Sequence, residues 1–436
     1  MTVYKNMFNY ITNSNNASSY TIADAKTSII ERWLPYIGTL WFFVIIESYL
    51  VWNPLAPLMH SIPSSLIIYG TLRIQNKLNY TKNKNLICLF LVIYIIWAII
   101  TLCEDIPQVI RRSFDFVPIL FFIFWPKELI IKTYLLIRKI VIFYALGSSV
   151  VTVLILAGFE NNIPHITLPP REALHVRLDI VYYVYGIFVT LCYPVSGVAG
   201  RACGMLMEPG HFAVVLGHIY LIDRLRKVRV NIWIVICGIL TFSSVFILFV
   251  LFTEIKNVFS KEGLKKIFFV LISVPFVLYG IFLFLPPLVQ EEIEYQIYGR
   301  NLEQVVEAYE MTSSINGALD ERASDYSLNA YEKMDIIEFL FGGKHIEPGE
   351  CLSDYRGMII YMGCVGLFLS ILVYLTIIHK IPLDLRMSLI LSFSLILLHR
   401  SFMLFEPYIY IYAFLVLVFA GTDSITKKTI MCRDGN

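Results

Sequence analysis

The sequence predicts an all-α polytopic membrane protein of about twelve transmembrane helices, with both termini cytoplasmic and one long external loop. Three observations carry that expectation. Hydrophobic residues fill 57% of the 436 positions and charged residues only 16%; the mean hydropathy is +0.69, well above that of a soluble domain. The apolar residues come in continuous runs rather than in the alternating pattern of a closed β-barrel. The basic residues gather in clusters that one threading puts on a single side of the bilayer.

In chain order, a cytoplasmic N-terminal segment over 1–32 is polar (NYITNSNNASSY within it) and lacks the basic and apolar regions of a cleaved signal. A multi-span membrane domain follows over 33–421, with runs at 33–51, 56–72, 86–103, 116–126, 140–158, 205–222, 266–286, 357–378, 387–399 and 406–421. Residues 228–258 are too long for one helix and tight for two. A polar turn at Thr241-Phe242-Ser243-Ser244 divides them into a hairpin of two passes, each of about 23 Å against a ~30 Å core. The charges require that division. Clusters at Arg73/Lys77/Lys82/Lys84, Lys127/Lys132/Arg138/Lys139, Arg224/Arg226/Lys227/Arg229, Lys256/Lys261/Lys265/Lys266 and Lys427/Lys428/Arg433 all fall inside only if 228–258 crosses twice. A cytoplasmic tail over 422–436 closes the chain.

Three external regions remain: a turn at 104–116, a loop at 159–204 and a large polar loop at 287–356. Within the second, 179–191 (DIVYYVYGIFVTL) is rich in Tyr and β-branched residues and reads as an interfacial strand or a re-entrant segment. The eight cysteines show no CxxC spacing, so no metal site is expected; Cys192 and Cys203 share an external loop and are a candidate disulfide. The net charge of +2 says nothing about nucleic acid, and no nucleic-acid partner is expected. No internal repeat is evident, which argues against an inverted-repeat transporter.

The stretch with the most chemistry is 201–210, RACGMLMEPG. An Arg or Glu drawn toward the bilayer centre costs about 2.5–3.5 kcal/mol on the insertion scale, so membrane proteins turn such groups toward their own interior. The spacing R-x-x-G-x-x-x-E-P-G resembles the signature of the Wzy-type O-antigen and exopolysaccharide polymerases, within the O-antigen polymerase/ligase superfamily. Arg322 followed by Phe339-Leu340-Phe341-Gly342-Gly343 is similar to that superfamily's Arg and "l-f-G-x-G" segment. YRGMIIYMGCVGLF at 355–368 is similar to its "G-h-h-G" re-entry helix.

The resemblance implies a multi-pass protein of the bacterial inner membrane and a glycosyltransferase acting on undecaprenyl-diphosphate-linked oligosaccharides at the periplasmic face. The growing glycan would move from its carrier to the non-reducing end of an incoming lipid-linked repeat unit. No metal or other cofactor is implied; membrane lipids and a chain-length regulator protein are the implied partners. The rival readings are an O-antigen ligase and a lipid-linked glycan flippase or transporter. Ligases tend to read N-P-N where this chain has Glu208-Pro209-Gly210, and they carry a loop His where this chain has Ser353-Asp354-Tyr355-Arg356.

Such a transfer needs cations for the leaving diphosphate and a base for the acceptor hydroxyl. Arg suits the first task because its planar fork binds phosphate oxygens in pairs and stays charged. The external arginines are Arg111, Arg112, Arg171, Arg177, Arg201, Arg300, Arg322, Arg356 and Arg400; snorkelling to headgroups is the competing account of each. Arg201 and Arg322 carry the family motifs, while Arg356 and Arg400 are candidates by position. The candidate bases are Glu208, His345 and Asp354, and the choice among them stays open. Glu208 before Pro209 also suits a helix's first turn. His211 lies within reach of the same helix start as a sugar-binding or orienting group. His399-Arg400 and Glu406-Pro407 read equally as a second polar wall of the site or as a salt-bridged structural lid.

Overall fold

The computed structural model describes residues 29–46, 55–103, 105–157, 162–168, 181–192, 200–206, 208–258, 330–342, 354–399 and 401–431, with a few single positions besides. The chain is mostly helical. Among the described residues the helices are α1 (Ile29–Ile45), α2 (Ala56–Arg73), α3 (Lys82–Leu102), α4 (Ile106–Phe122), α5 (Lys127–Leu156), α6 (Pro209–Leu225), α7 (Ile232–Leu240), α8 (Ser244–Val258), α9 (Ile336–Phe341), α10 (Tyr355–Ile378), α11 (Leu383–His399) and α12 (Tyr408–Met431). Among the described residues, α3, α5 and α10 are long and apolar enough to cross a membrane, and shorter apolar helices lie within α8, α11 and α12. The expected span at 266–286 and most of the 287–356 loop lie outside the described residues.

Specific contacts fix which helix ends lie together. Lys77 beyond α2 donates to Glu31 at the start of α1 at 2.6 Å. The Asn79 amide donates to the Phe124 carbonyl at 2.8 Å, and Lys84 at the start of α3 reaches the Trp125 carbonyl at 3.4 Å. Arg138 in α5 grips Asp223 near the end of α6 through three hydrogen bonds of 2.7–2.9 Å. Arg224 then pairs with Glu254 of α8, and Ser388 of α11 donates to the Phe252 carbonyl at 2.8 Å. Members of the basic clusters before α9 thus share one end of the bundle, the basic end. The starts of α2, α4, α10 and α12 lie at the other.

Four departures from the sequence reading have physical causes. Residues 104–116 are not a loop: Asp105 accepts from the Gln108 amide at 2.8 Å and starts α4 at Ile106, because a capping carboxylate followed by an apolar-faced segment is a helix start. The basic residues of 127–139 are not a loop either but open the 30-residue α5. The tail expected at 422–436 is helical as far as Met431, continuing α12. The fourth concerns the hairpin: it turns at Thr241–Ser243, as the polar residues suggest, but α7 has nine residues. At 1.5 Å per residue that is a rise of about 13–14 Å, under half of a ~30 Å core. The hairpin reaches partway in and returns to the basic end.

The chain is also not purely helical. β1 (Ile166–Leu168), β2 (Val181–Tyr185), β3 (Phe188–Cys192) and β4 (Arg201–Gly204) form an antiparallel sheet in that order. Tyr185 pairs with Phe188 across a two-residue turn at Gly186–Ile187, and a register shift separates Val189 from Thr190 on the way to β4. This is the strand that the Tyr-rich and β-branched composition indicates. Val189 and β4 are buried, and Phe188 packs on Tyr144 and Phe143 of α5. Cys203 is buried, and the side chain of its candidate disulfide partner, Cys192, lies outside the described residues.

At the centre stands α12, whose residues Tyr408–Val416 are all buried. A helix apolar on every side finds no better place than the middle of a bundle. The Tyr412 ring stacks on His218 of α6 at 4.4 Å and 10° and meets Phe42 of α1 edge-on at 5.5 Å. Tyr410 meets Tyr94 of α3 and shares a 2.7 Å hydrogen bond with Ser370 of α10. The ring contacts of Tyr412 and the hydrogen-bonded hydroxyl of Tyr410 tie four helices to the central one.

Candidate functional site

Arg201, on the buried strand β4, is 8% exposed. Its Nε donates to the Thr241 carbonyl and its Nη2 to the Phe242 carbonyl, both at 3.0 Å. Those are the carbonyls at the C-terminus of α7, where the helix leaves acceptors unpaired and its dipole favours a cation. The guanidinium thus joins β4 to the tip of the half-depth hairpin. Three residues on, Gly204 has φ +65°, and a Cβ there would fall 2.5 Å from the Phe212 ring of α6. The Arg and the Gly of the 201–210 stretch act locally as a cross-brace and as the point where the strand turns onto α6.

Glu208 occupies the N-cap position of α6, with Pro209 as the first helical residue, yet its side chain makes no capping hydrogen bond. Helix capping therefore does not account for this carboxylate. His211 follows in the first turn, half-buried.

The second grouping lies at the start of α10. Asp354 is the N-cap residue, accepting from the Arg356 amide at 2.9 Å. The same carboxylate takes the Arg356 guanidinium on both oxygens, at 3.1, 3.1 and 2.7 Å, and both residues are buried. With the lone pairs of Asp354 so engaged, it is a weaker candidate base than its sequence position suggests. Beside this pair stands Tyr331, whose phenol is pushed above its ordinary range by burial and by Tyr355, with Arg356 opposing.

Eight residues into α10 the helix breaks. Gly363 has φ 68° and ψ 176°, a region open essentially to glycine alone. Gly342, which ends α9 with φ 71°, sits directly against it: a Cβ on Gly342 would lie 2.5 Å from the Gly363 nitrogen, and one on Gly363 would lie 2.3 Å from the Leu340 oxygen. Trp97 of α3 donates its indole N–H to the Met362 carbonyl at 2.9 Å, which satisfies an acceptor freed by the break. The 339–342 and 355–368 segments, singled out separately in the sequence, are one packed unit.

A third grouping links to the second through the Tyr361–Phe405 ring contact at 5.7 Å. Glu406, ahead of α12, accepts from Arg112 of α4 at 2.8 Å. One turn further along α4, Asp115 pairs with His60 of α2. Tyr94 donates to the Leu404 carbonyl at 2.7 Å. Buried or half-buried charge from α2, α4, α10 and the α12 start thus forms a polar layer at the end opposite the basic clusters. The sequence reading missed His60 and Asp115. The available signal was an ionisable residue inside, or one turn from, an apolar run.

Of the other candidates, Arg322, His345, Arg400, Arg171, Arg177 and Arg300 lie outside the described residues, and His399 ends α11. Arg356 and Glu406 belong to the polar layer, whereas Arg201 is held at the hairpin tip. Among the described residues no group of three His, Cys, Asp or Glu side chains could hold a metal ion. No family model, curated protein or solved structure matches the chain.

Proposed function

We propose that this chain is a membrane-embedded polymerase of lipid-linked oligosaccharides, which transfers a growing glycan from undecaprenyl diphosphate to the non-reducing end of an incoming lipid-linked repeat unit. The observation that carries the reading is the contact of Gly342 with Gly363. It unites the two segments that resemble the superfamily's loop motif and re-entry helix, and Asp354 and Arg356 open that same helix. In this reading the polar layer faces the periplasm and the basic end the cytoplasm, as the positive-inside rule requires. Arginines at the layer hold the leaving diphosphate, the task for which the guanidinium fork is suited. Glu208, whose carboxylate is not used for capping, remains a candidate base beside His345.

The deletion strain tests the reading. Loss of this chain should leave single repeat units on the acceptor lipid, and restoring the gene should restore the ladder of long glycans. Loss of even the single unit would instead assign the chain to the flippase or ligase step.

A further inference from the structure

His60 and Asp115 are 2% and 3% exposed, and the geometry gives them a common role. His60 sits in the second turn of α2, Asp115 in the third turn of α4. The imidazole Nδ1 bonds the Asp115 carboxylate, while Nε2 is buried with no hydrogen-bond partner among the described residues. One turn along α2, Ser64 donates to the Phe114 carbonyl at 2.6 Å, which pins the two helices together at this level.

A buried polar atom left without a partner forfeits the hydrogen bonds it would make in water and is costly to keep. Where one persists, it is met by a water, an ion or a ligand, or it serves a chemical role. The tautomer follows from the pairing: an ionised carboxylate only accepts, so the proton sits on Nδ1 and Nε2 presents a lone pair. A carboxylate-oriented imidazole with a free second nitrogen is the arrangement of a general base. One turn earlier on α4, Arg112 supplies a cation beside Glu406, so the carboxylate that orients the imidazole and this cation share one helix.

We propose that the His60–Asp115 couple is the general base of the glycosyl transfer, with His60 Nε2 taking the proton of the acceptor hydroxyl. The inference rests on the polymerase reading. As the acceptor oxygen bonds to the anomeric carbon of the donor glycan, the bond from that carbon to the diphosphate oxygen breaks. Its electron pair leaves with undecaprenyl diphosphate. The hydroxyl proton moves to Nε2, and Asp115 stabilises the imidazolium until it releases the proton to water. Burial sets a condition: the acceptor reaches Nε2 only by displacing the side chains that cover it. Without an acceptor the base stays shut away from water, which guards the donor against hydrolysis.

The test uses the full chain in vesicles, supplied with lipid-linked repeat units, and measures the rate of chain growth. His60→Ala and Asp115→Asn should each lower kcat by about 100-fold or more, the usual contribution of a general base, with KM within about threefold. Imidazole in the buffer should restore part of the His60→Ala rate, which it would not do for a purely structural histidine. If His60→Ala fails to fold, His60→Gln is read in its place, because its amide can still bond Asp115; the same loss of kcat is expected. Wild-type rates in a folded His60 variant overturn the proposal alone, as does a folded His60→Ala that imidazole leaves inactive. Wild-type vesicles that join no units, or only move them across the bilayer, overturn the polymerase reading and the proposal with it.

Discussion

Arg224 and Glu254 form a two-point salt bridge across 30 residues of sequence, and in doing so close the α7–α8 hairpin on itself. The chain leaves the basic end at α7 and comes back to it at α8. Both flanks of the hairpin thus lie at one end of the bundle, although α7 is too short to make the two full passes that the charge-based threading expected.

Single cysteines placed at Arg229 and at Glu254 should therefore behave alike. Neither should react with a membrane-impermeant thiol reagent added to intact cells, and both should react once the cells are opened. Labelling of one but not the other from outside would show that 229–254 crosses the membrane once, and the topology would have to be redrawn.

The Gly342–Gly363 contact makes a second prediction. Gly363→Ala forces a side chain into a glycine-only conformation, costing about 1–3 kcal/mol, and also drives a Cβ to within 2.3 Å of the Leu340 carbonyl, which is backbone and cannot swing away. Gly186 is the control: its φ is +66°, but a Cβ there meets nothing within 4 Å. Gly363→Ala should lower the thermal unfolding midpoint in detergent several degrees further than Gly186→Ala does. Equal shifts would mean that the α9–α10 contact contributes nothing.

Asp223 anchors the basic end. It is fully buried and takes Arg138 on both oxygens, with the Tyr134 hydroxyl at 3.3 Å. Removing one partner of such a pair strands the other charge, at a cost of about 3–5 kcal/mol, whereas replacing both with apolar residues is often nearly neutral. Asp223→Ala should thus unfold at a markedly lower temperature, and the double variant Arg138→Met, Asp223→Leu should recover most of the loss. A double variant as unstable as the single one would place the destabilisation in packing instead.

The legible parts of this fold are those written in local pattern. The apolar runs marked α2, α3, α6 and α10 to within a few residues, and Thr241–Ser244 marked the hairpin turn, because hydrophobic length and polar interruption act locally. The Tyr-rich segment at 179–191 announced a strand for the same reason. What could not be read was pairing at a distance. Nothing near Arg201 says that its partners are carbonyls some 40 positions on, and nothing near Glu406 names Arg112. The capping carboxylate at Asp105 was visible, but charge bias made 104–116 look like a loop. His60 and Asp115 were hidden because each alone is a common residue near a helix end. Only the packing of α2 on α4 makes them a couple.

Arg201 is where the sequence reading and the geometry pull hardest against each other. The motif assigns it to the diphosphate, whereas two of its donors hold the Thr241 and Phe242 carbonyls. Hydrogen bonds from a charged group contribute about 1.5–3 kcal/mol each, and their removal would leave two carbonyls of the α7 terminus short of a donor. Arg201→Ala should therefore lower the thermal midpoint and the amount of protein in the membrane. Arg201→Lys keeps the charge but lacks the fork that reaches both carbonyls, so it should fall between the two. The roles separate when glycan length is measured per folded molecule. If the brace is the whole of its function, the Arg201→Ala protein that remains folded makes chains of wild-type length. Short chains from folded protein would show that Arg201 also acts on the substrate, through donors beyond the two that hold the hairpin.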